Sequence, residues 1–263
     1  MEGTAPKGEL HRRRVVVLGS GPALATAARD NTSFLLESEA GNLLIDCGGS
    51  PFHKLLRAGS DPDRLGGVLL THAHPDHIYG LPSLIHEMWL NGRTDRLHIY
   101  ANEHTLQVAL ALLDVFHLRS KPVELDLQTI TDENGCLLLE NEILEVRTSP
   151  VEHEVPTVGL RVTVRANGRS VAFSADTGPC RALVALARGA DLLFHECAVV
   201  EPHPFHSTPE DVGRTAAEAQ VARLVLVHCH HSLTREPERA VAEISKLFHG
   251  RIDFADDFGV YEL

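Results

Sequence analysis

Metal-ligand side chains are concentrated in one short segment, His72-Ala73-His74-Pro75-Asp76-His77. It carries three imidazoles and one carboxylate within six residues. Neutral imidazole and carboxylate are groups through which zinc, manganese and iron bind to proteins. An apolar run at residues 67–71 predicts a buried strand directly before it, and ligands at a strand end can converge on one point. The pattern therefore predicts a metal site, with a histidine-rich surface loop as the alternative.

Three further ligand-type residues each stand just beyond an apolar run that predicts a strand. They are His153, Asp176 and His228. One metal ion needs three or four ligands, and two ions need more. Since strand ends gather along one edge of an α/β sandwich, these side chains are expected to share a pocket with the first segment.

The rest of the chain predicts the elements that would position these ligands. Residues 157–165 and 170–174 predict a hairpin, because Asn167-Gly168 between them favours a type I′ turn. The other predicted elements include a strand at residues 15–18, a hairpin at 34–37 and 42–46, helices at 51–58 and 78–90, and a final strand pair.

Strands followed by a helix occur in the same order in each half of the chain. This order predicts an α/β fold with αββα layers, in which two mixed β-sheets pack face to face with helices outside. No linker or repeat interrupts the pattern, so residues 12–263 are expected to form one domain after a loose segment at residues 1–11.

The composition indicates a globular chain with an acidic surface. Of 263 residues 43% are apolar, which suffices for a sizeable core. The chain has 24 basic and 36 acidic residues, hence a formal net charge of −12. Such a charge argues against general binding to nucleic acids or membranes, since both are polyanions. Bound divalent metals would still permit a local anion site.

The N-terminus and the cysteines predict a cytoplasmic protein. Arg12-Arg13-Arg14 and the run after it look like a secretory signal, but residues 15–18 are shorter than the roughly 7–15 apolar residues required. No segment approaches the roughly 20 apolar residues that cross a bilayer. The five cysteines form no C-x-x-C pair, so no disulfide framework is expected. Cys229 is either a soft metal ligand or a packed small residue.

The segment from Thr71 to His77, with Gly80-Leu81-Pro82 after it, resembles the signature of the metallo-β-lactamase superfamily. The likeness is greatest to the ribonuclease Z-like branch, and it runs from about residue 15 to the end. In chain order the other matching segments are Asp46-Cys47-Gly48, His153-Glu154-Val155-Pro156-Thr157-Val158-Gly159, Ser174-Ala175-Asp176-Thr177, Phe194-His195-Glu196-Cys197-Ala198, His206-Ser207-Thr208 and His228.

This resemblance implies two divalent metal ions, with zinc as the expected metal and manganese or iron as alternatives. It implies one ion held by His72, His74 and His153. A second would be held by Asp76, His77 and His228. Asp176 would bridge both ions, and a bridging hydroxide would be the nucleophile.

The resemblance also implies a catalytic set formed by Asp76, Glu196 and His206. Glu196 would raise the pKa of His206, which would donate a proton to the leaving oxygen. A buried Glu–His contact that only holds a loop is the alternative. Asp46 would fix the tautomer of a ligand histidine, or else be a turn aspartate.

Several histidines have no such assignment. His203, His230 and His231 are interpreted as wall residues or bystanders, and His195, inside an apolar strand, as a core histidine.

The sequence departs from ribonuclease Z in one important respect. In that enzyme a basic arm that clamps tRNA is inserted in the chain between the third histidine and the bridging aspartate. Here only residues 154–175 separate His153 from Asp176, and the predicted hairpin uses most of them. The resemblance therefore implies a compact, phosphodiesterase-type hydrolase that acts on small or cyclic phosphodiesters, with no membrane partner and with a homodimer as an option. Alternatives are tRNA 3′-processing, arylsulfatase or lactonase activity on the same site, and a non-catalytic binding protein.

Overall fold

The computed structural model describes residues 13–263, so the prediction of a loose segment at residues 1–11 lies outside the described part. Two mixed seven-stranded sheets form the centre of the molecule. The first sheet comprises β1 (Arg14–Gly19), β2 (Ser33–Glu37), β3 (Asn42–Ile45), β4 (Leu65–Leu69), β5 (Leu97–Ala101), β6 (Leu125–Thr129) and β14 (Val260–Glu262). The second comprises β7 (Cys136–Glu140), β8 (Leu144–Val151), β9 (Thr157–Val164), β10 (Ser170–Phe173), β11 (Leu192–Cys197), β12 (Arg223–Cys229) and β13 (Arg251–Phe254).

Helices cover the outer face of each sheet, which confirms the predicted αββα sandwich. The helices are α1 (Pro51–Arg57), α2 (Pro75–Ile78), α3 (Leu81–Leu90), α4 (Glu103–Val115), α5 (Arg181–Leu186), α6 (Pro209–Ala219), α7 (His231–Arg235) and α8 (Pro237–Ile244). Side chains of α1, α3 and α4 pack on the first sheet, and those of α6 and α8 pack on the second. No helix within residues 13–263 is long and apolar enough to cross a membrane.

The core between the sheets explains why the central strands read as unbroken apolar runs. In β1, Val15 and Val17 face the opposite sheet, whereas Val16 and Leu18 face the helices. A strand buried on both faces needs apolar residues at every position rather than at alternate ones. Phe34 of the first sheet packs on Phe173 of the second, with ring centroids 4.9 Å apart.

Parallel strands bring the site together. Strands β3 to β6 run parallel to one another, and so do β10 to β13. Ligands of open α/β sheets bind beyond the carboxyl ends of the strands. The segments after β3, β4, β8 and β10 meet at one edge of the sandwich, where the predicted ligands stand.

Three local predictions were wrong. The helix predicted at residues 78–90 is two helices, α2 and α3, because the amide of Gly80 donates to the carbonyl of Cys47 at 2.8 Å instead of within a helix, and Gly80 packs closely there. A Cβ on Gly80 would lie 2.3 Å from the carbonyl oxygen of Cys47. The final strands β13 and β14 belong to different sheets. The turn between β9 and β10 is not type I′, since Gly168 has a positive φ of 72° and Asn167 does not.

Candidate metal centre

The seven predicted ligands form two adjacent groups at the edge of the sandwich. Within each group, one ligand atom from each residue lies within 4.8 Å of the others. The first group is His72, His74, His153 and Asp176, and the second is Asp76, His77 and His228.

Each group takes side chains from both sheets. His72 and His74 follow β4, and the chain then turns into α2, with Pro75 in its first turn. This turn presents Asp76 and His77 to the second group. It is anchored where the amide of Cys47 donates to the carbonyl of His77 at 2.7 Å. The second sheet supplies the other three ligands from the ends of β8, β10 and β12.

Asp176 lies between the two groups. It belongs to the first by proximity, yet its Oδ2 is 3.6 Å from Nε2 of His77 and 3.4 Å from Nε2 of His228. Asp76 approaches the same two nitrogens at 3.2 Å and 3.3 Å. Asp176 is therefore in the position that a bridging carboxylate requires.

The donor set fits divalent metal ions. Nε2 of His72 and Nε2 of His77 are buried and have no hydrogen-bond partner among the described residues. A buried nitrogen without a partner is costly unless it binds something. Burial lowers the pKa of His72 well below its ordinary value, and His77 lowers it further, so His72 is a neutral imidazole. Neutral imidazole is the form that binds metal.

Asp176 remains ionised although it is fully buried. Burial alone would raise its pKa, but the neighbouring His228 and His77 outweigh burial and hold the pKa well below its usual range. A carboxylate at this position can accept two cations.

Asp46 connects ligands of both groups. Its Oδ2 accepts a hydrogen bond from Nδ1 of His77 at 2.7 Å, which leaves Nε2 of that ring free for a metal. The same oxygen accepts from the hydroxyl of Thr71 at 2.9 Å, and Nδ1 of His72 lies 3.0 Å from that hydroxyl. One carboxylate therefore orients a ring in each group, directly in one and through Thr71 in the other. The sequence did not reveal the role of Thr71, although its place before His72 was a usable signal.

The other predicted pair, Glu196 and His206, lies beside the ligand groups. Nδ1 of His206 donates to Oε1 of Glu196 at 2.9 Å. The ring of His206 is centred 5.0 Å from that of His153 and 6.3 Å from that of His228. Backbone amides of Thr177, Ser207 and Ala198 also donate to the Glu196 carboxylate. Three such donors stabilise its charged form.

The expected direction of the His206 shift was wrong. Burial lowers the pKa of His206 below its ordinary value. Burial, followed by the charge of Asp176, raises the pKa of Glu196 well above its usual range. Burial therefore disfavours the charged form of each of these two groups.

The remaining histidines and Cys229 stand outside both groups. His195 is buried in β11, and its Nδ1 lies 2.7 Å from the carbonyl oxygen of Glu196, as a core histidine would. Cys229 is buried with its thiol toward the carbonyl of Val227, so it packs rather than binds metal. His203 lies on the loop that follows β11, whereas His230 caps the N-terminus of α7 and His231 is its first residue.

Comparison with known proteins agrees with this geometry. The family model described as "Beta-lactamase superfamily domain" matches residues 41–229. A relative named Ribonuclease Z, from Methanosarcina acetivorans, is 26% identical over 294 aligned positions, which cover 91% of this chain and 94% of the relative.

Solved structures share the fold over nearly the whole chain. The metallo-β-lactamase fold protein YhfI from Bacillus subtilis superimposes with a TM-score of 0.80 at 22% identity, covering 96% of this chain and all of that one. The short form of human tRNase Z superimposes with a TM-score of 0.78 at 23% sequence identity, and the match covers 94% of this chain and 98% of that one. A diphosphatase of the PhnP family superimposes with a TM-score of 0.73 at 23% sequence identity, and the match covers 96% of this chain and 98% of that one.

Proposed function

Because this chain belongs to the metallo-β-lactamase superfamily, in its ribonuclease Z-like branch, and is therefore a metal-dependent hydrolase, we propose that it hydrolyses small or cyclic phosphodiesters. The observation that carries the proposal is the contact between Glu196 and His206, a pair that belongs to neither ligand group and to which we assign the role of proton donor. A phosphodiester needs such a donor, since its leaving group is an alkoxide that leaves poorly without a proton.

We propose zinc as the metal at both groups, since zinc suits a donor set of imidazoles and carboxylates. When bound, two divalent ions would supply an activated water and positive charge for the phosphoryl oxygens. Asp176 and Asp76 would offset part of that charge and hold the ions close together. Asp46 would keep one histidine of each group in the tautomer that leaves Nε2 free.

The residues of this chain would move one proton in the reaction. The oxygen of a water molecule forms a bond to phosphorus as the bond from phosphorus to the leaving oxygen breaks. His206 transfers its Nε2 proton to that leaving oxygen, which departs as an alcohol. Glu196 would hold the His206 ring through its Nδ1 contact during this transfer. The attacking water gives up one proton as its oxygen becomes part of the phosphate monoester, and return of a proton from solvent to Nε2 completes the cycle.

Small substrates are favoured over tRNA by the shape and charge of the chain. The turn between β9 and β10 spans only residues 165–169, so no arm extends there. The alignment with the Methanosarcina relative covers 294 positions, more than the 263 residues of this chain, so that relative carries segments absent here. A net charge of −12 further opposes a polyanionic partner.

Ribonuclease Z activity is the second candidate. The name of the Methanosarcina relative favours it, and the relative aligns over 94% of its own length. The solved structures do not decide between the two candidates, because they show the fold alone. Arylsulfatase and lactonase activity on the same site are further variants that a substrate panel would reveal.

The purified protein should contain about two zinc ions per chain, because each ligand group has three or more donors. Elemental analysis of protein prepared without chelator measures this directly. A chain that stays metal-free after incubation with zinc or manganese would contradict the assignment of both groups.

The zinc-loaded protein should hydrolyse bis(p-nitrophenyl) phosphate or a 2′,3′-cyclic nucleotide, and should cut precursor tRNA poorly. The short β9–β10 turn and the acidic surface are the reasons. Release of p-nitrophenolate and gel analysis of a precursor transcript measure the two activities side by side. Efficient, site-specific cutting of the transcript would instead establish the second candidate.

A further inference from the structure

His203 lies on a loop whose backbone is held rigid beside the proposed active site. Proline flanks it on both sides, at positions 202 and 204. Proline fixes its own φ and restricts the residue before it to extended conformations. The loop also packs on Gly178, two residues beyond Asp176, where a Cβ would lie 2.1 Å from the carbonyl oxygen of Pro204. The position of His203 is therefore tied to that of a metal-site residue.

The same loop touches the metal ligands through Phe205. Its carbonyl oxygen accepts a hydrogen bond from Nδ1 of His153 at 2.9 Å. Its amide donates to Nδ1 of His203 at 3.2 Å. The second contact requires that Nδ1 of His203 carry no proton, so the hydrogen of the neutral ring is on Nε2. Within residues 13–263 that Nε2 has no hydrogen-bond partner, and the side chain is exposed.

The ring of His203 stands next to that of His206, the proposed proton donor. Their centroids are 5.4 Å apart and the rings are tilted by 37°. His206 lies against His153 and His228, whereas His203 lies one ring further from both ligand groups. With His206 assigned as the donor to the leaving oxygen, this neighbouring position of His203 corresponds to the leaving alcohol rather than to phosphorus.

We propose that His203 is a specificity-determining residue that donates a hydrogen bond from Nε2 to a second oxygen on the leaving alcohol. This inference rests on the proposed function and deepens it. It names the substrate class: phosphodiesters whose leaving alcohol carries a neighbouring hydroxyl or ether oxygen, as a ribose or glycerol unit does. An aryl diester lacks such an oxygen and gains nothing from His203.

His203→Ala should lower kcat/KM for 2′,3′-cyclic AMP by about 10-fold, the upper range for one neutral hydrogen bond. It should leave kcat/KM for bis(p-nitrophenyl) phosphate unchanged. His203→Gln, which keeps a donor, should restore most of the loss. His104→Ala is the matched control, since His104 is an exposed histidine in α4 on the other half of the chain.

Binding of a product distinguishes this inference from the proposed function. Calorimetric titration of the zinc-loaded protein with 3′-AMP should show affinity about 10-fold weaker in His203→Ala, with unchanged affinity for inorganic phosphate. If the wild type hydrolyses no diester, the proposed function fails, and this titration still decides the role of His203. Equal affinity of both proteins for 3′-AMP overturns the inference. So does an equal loss of 3′-AMP and phosphate binding, since His203 would then act on the metal site.

Discussion

Replacing His206 with alanine should lower kcat by about 10²–10⁴-fold on diesters with alkoxide leaving groups, the range for general acid catalysis. The reason is the role proposed for His206, whose Nε2 would donate the proton while its Nδ1 contacts Glu196 and the ring belongs to neither ligand group. With p-nitrophenolate, which leaves without a proton, the loss should be much smaller. Steady-state kinetics on a matched pair of alkyl and nitrophenyl diesters measure this difference.

Two controls separate proton donation from other roles of His206. The metal content of His206→Ala should equal that of the wild type, and a loss of metal would make His206 a ligand. If kcat falls equally for the alkyl and the nitrophenyl diester, the ring binds or orients the phosphoryl group instead of donating a proton. Glu196→Gln should show the same pattern more weakly, because an amide cannot balance the charge of the ring.

Replacing Asp46 with asparagine should weaken metal binding by about 10–100-fold, the usual effect of removing a group that orients metal ligands. The carboxylate accepts three hydrogen bonds, two from Thr71 and one from His77. An amide offers a single acceptor oxygen, and its NH₂ would face a donor. Both ligand groups should be affected, since Asp46 reaches a ring in each. Competition with a chromophoric chelator measures the affinity for each of the two ions.

Thr71→Val provides the matched comparison. It removes the hydroxyl between Asp46 and His72 and leaves the contact of Asp46 with His77 in place. The affinity of the first ligand group for its ion should therefore fall, and that of the second should be retained. Asp46 has a positive φ of 61°, which asparagine tolerates about as well as aspartate, so the backbone should not change. Wild-type affinity in both variants would leave Asp46 as a turn residue only.

The spacing of ligand-type residues contained most of the information about the site. A strand followed at once by His72, His74, Asp76 and His77 has few structural solutions, and the structure brings those side chains to one edge. The sandwich was predicted from the order of strands and helices, which is the same in each half of the chain. The structure shows that the apolar runs of the central strands are covered on both faces. Local sequence patterns thus predicted the strands and helices and the candidate metal ligands.

Features that depend on distant contacts could not be read in this way. The break at Gly80 arises from contact with Cys47, far away in sequence. Strands β13 and β14 join different sheets because each finds its partner elsewhere in the chain. The raised pKa of Glu196 depends on burial and on Asp176, which no sequence window contains. The sequence places His203 three residues before His206, but it could not show that the two rings are centred 5.4 Å apart.

Each ligand group draws on both sheets, and this has a thermodynamic consequence. Ions bound there would act as cross-links between the two sheets, which otherwise meet through apolar contacts. A ligand that binds only the folded state adds about 2.7 kcal/mol to its stability at 100 times its dissociation constant. The free energy of unfolding is then not a fixed property of the sequence. It follows the concentration of free metal, so metal-starved conditions lower resistance to unfolding together with activity.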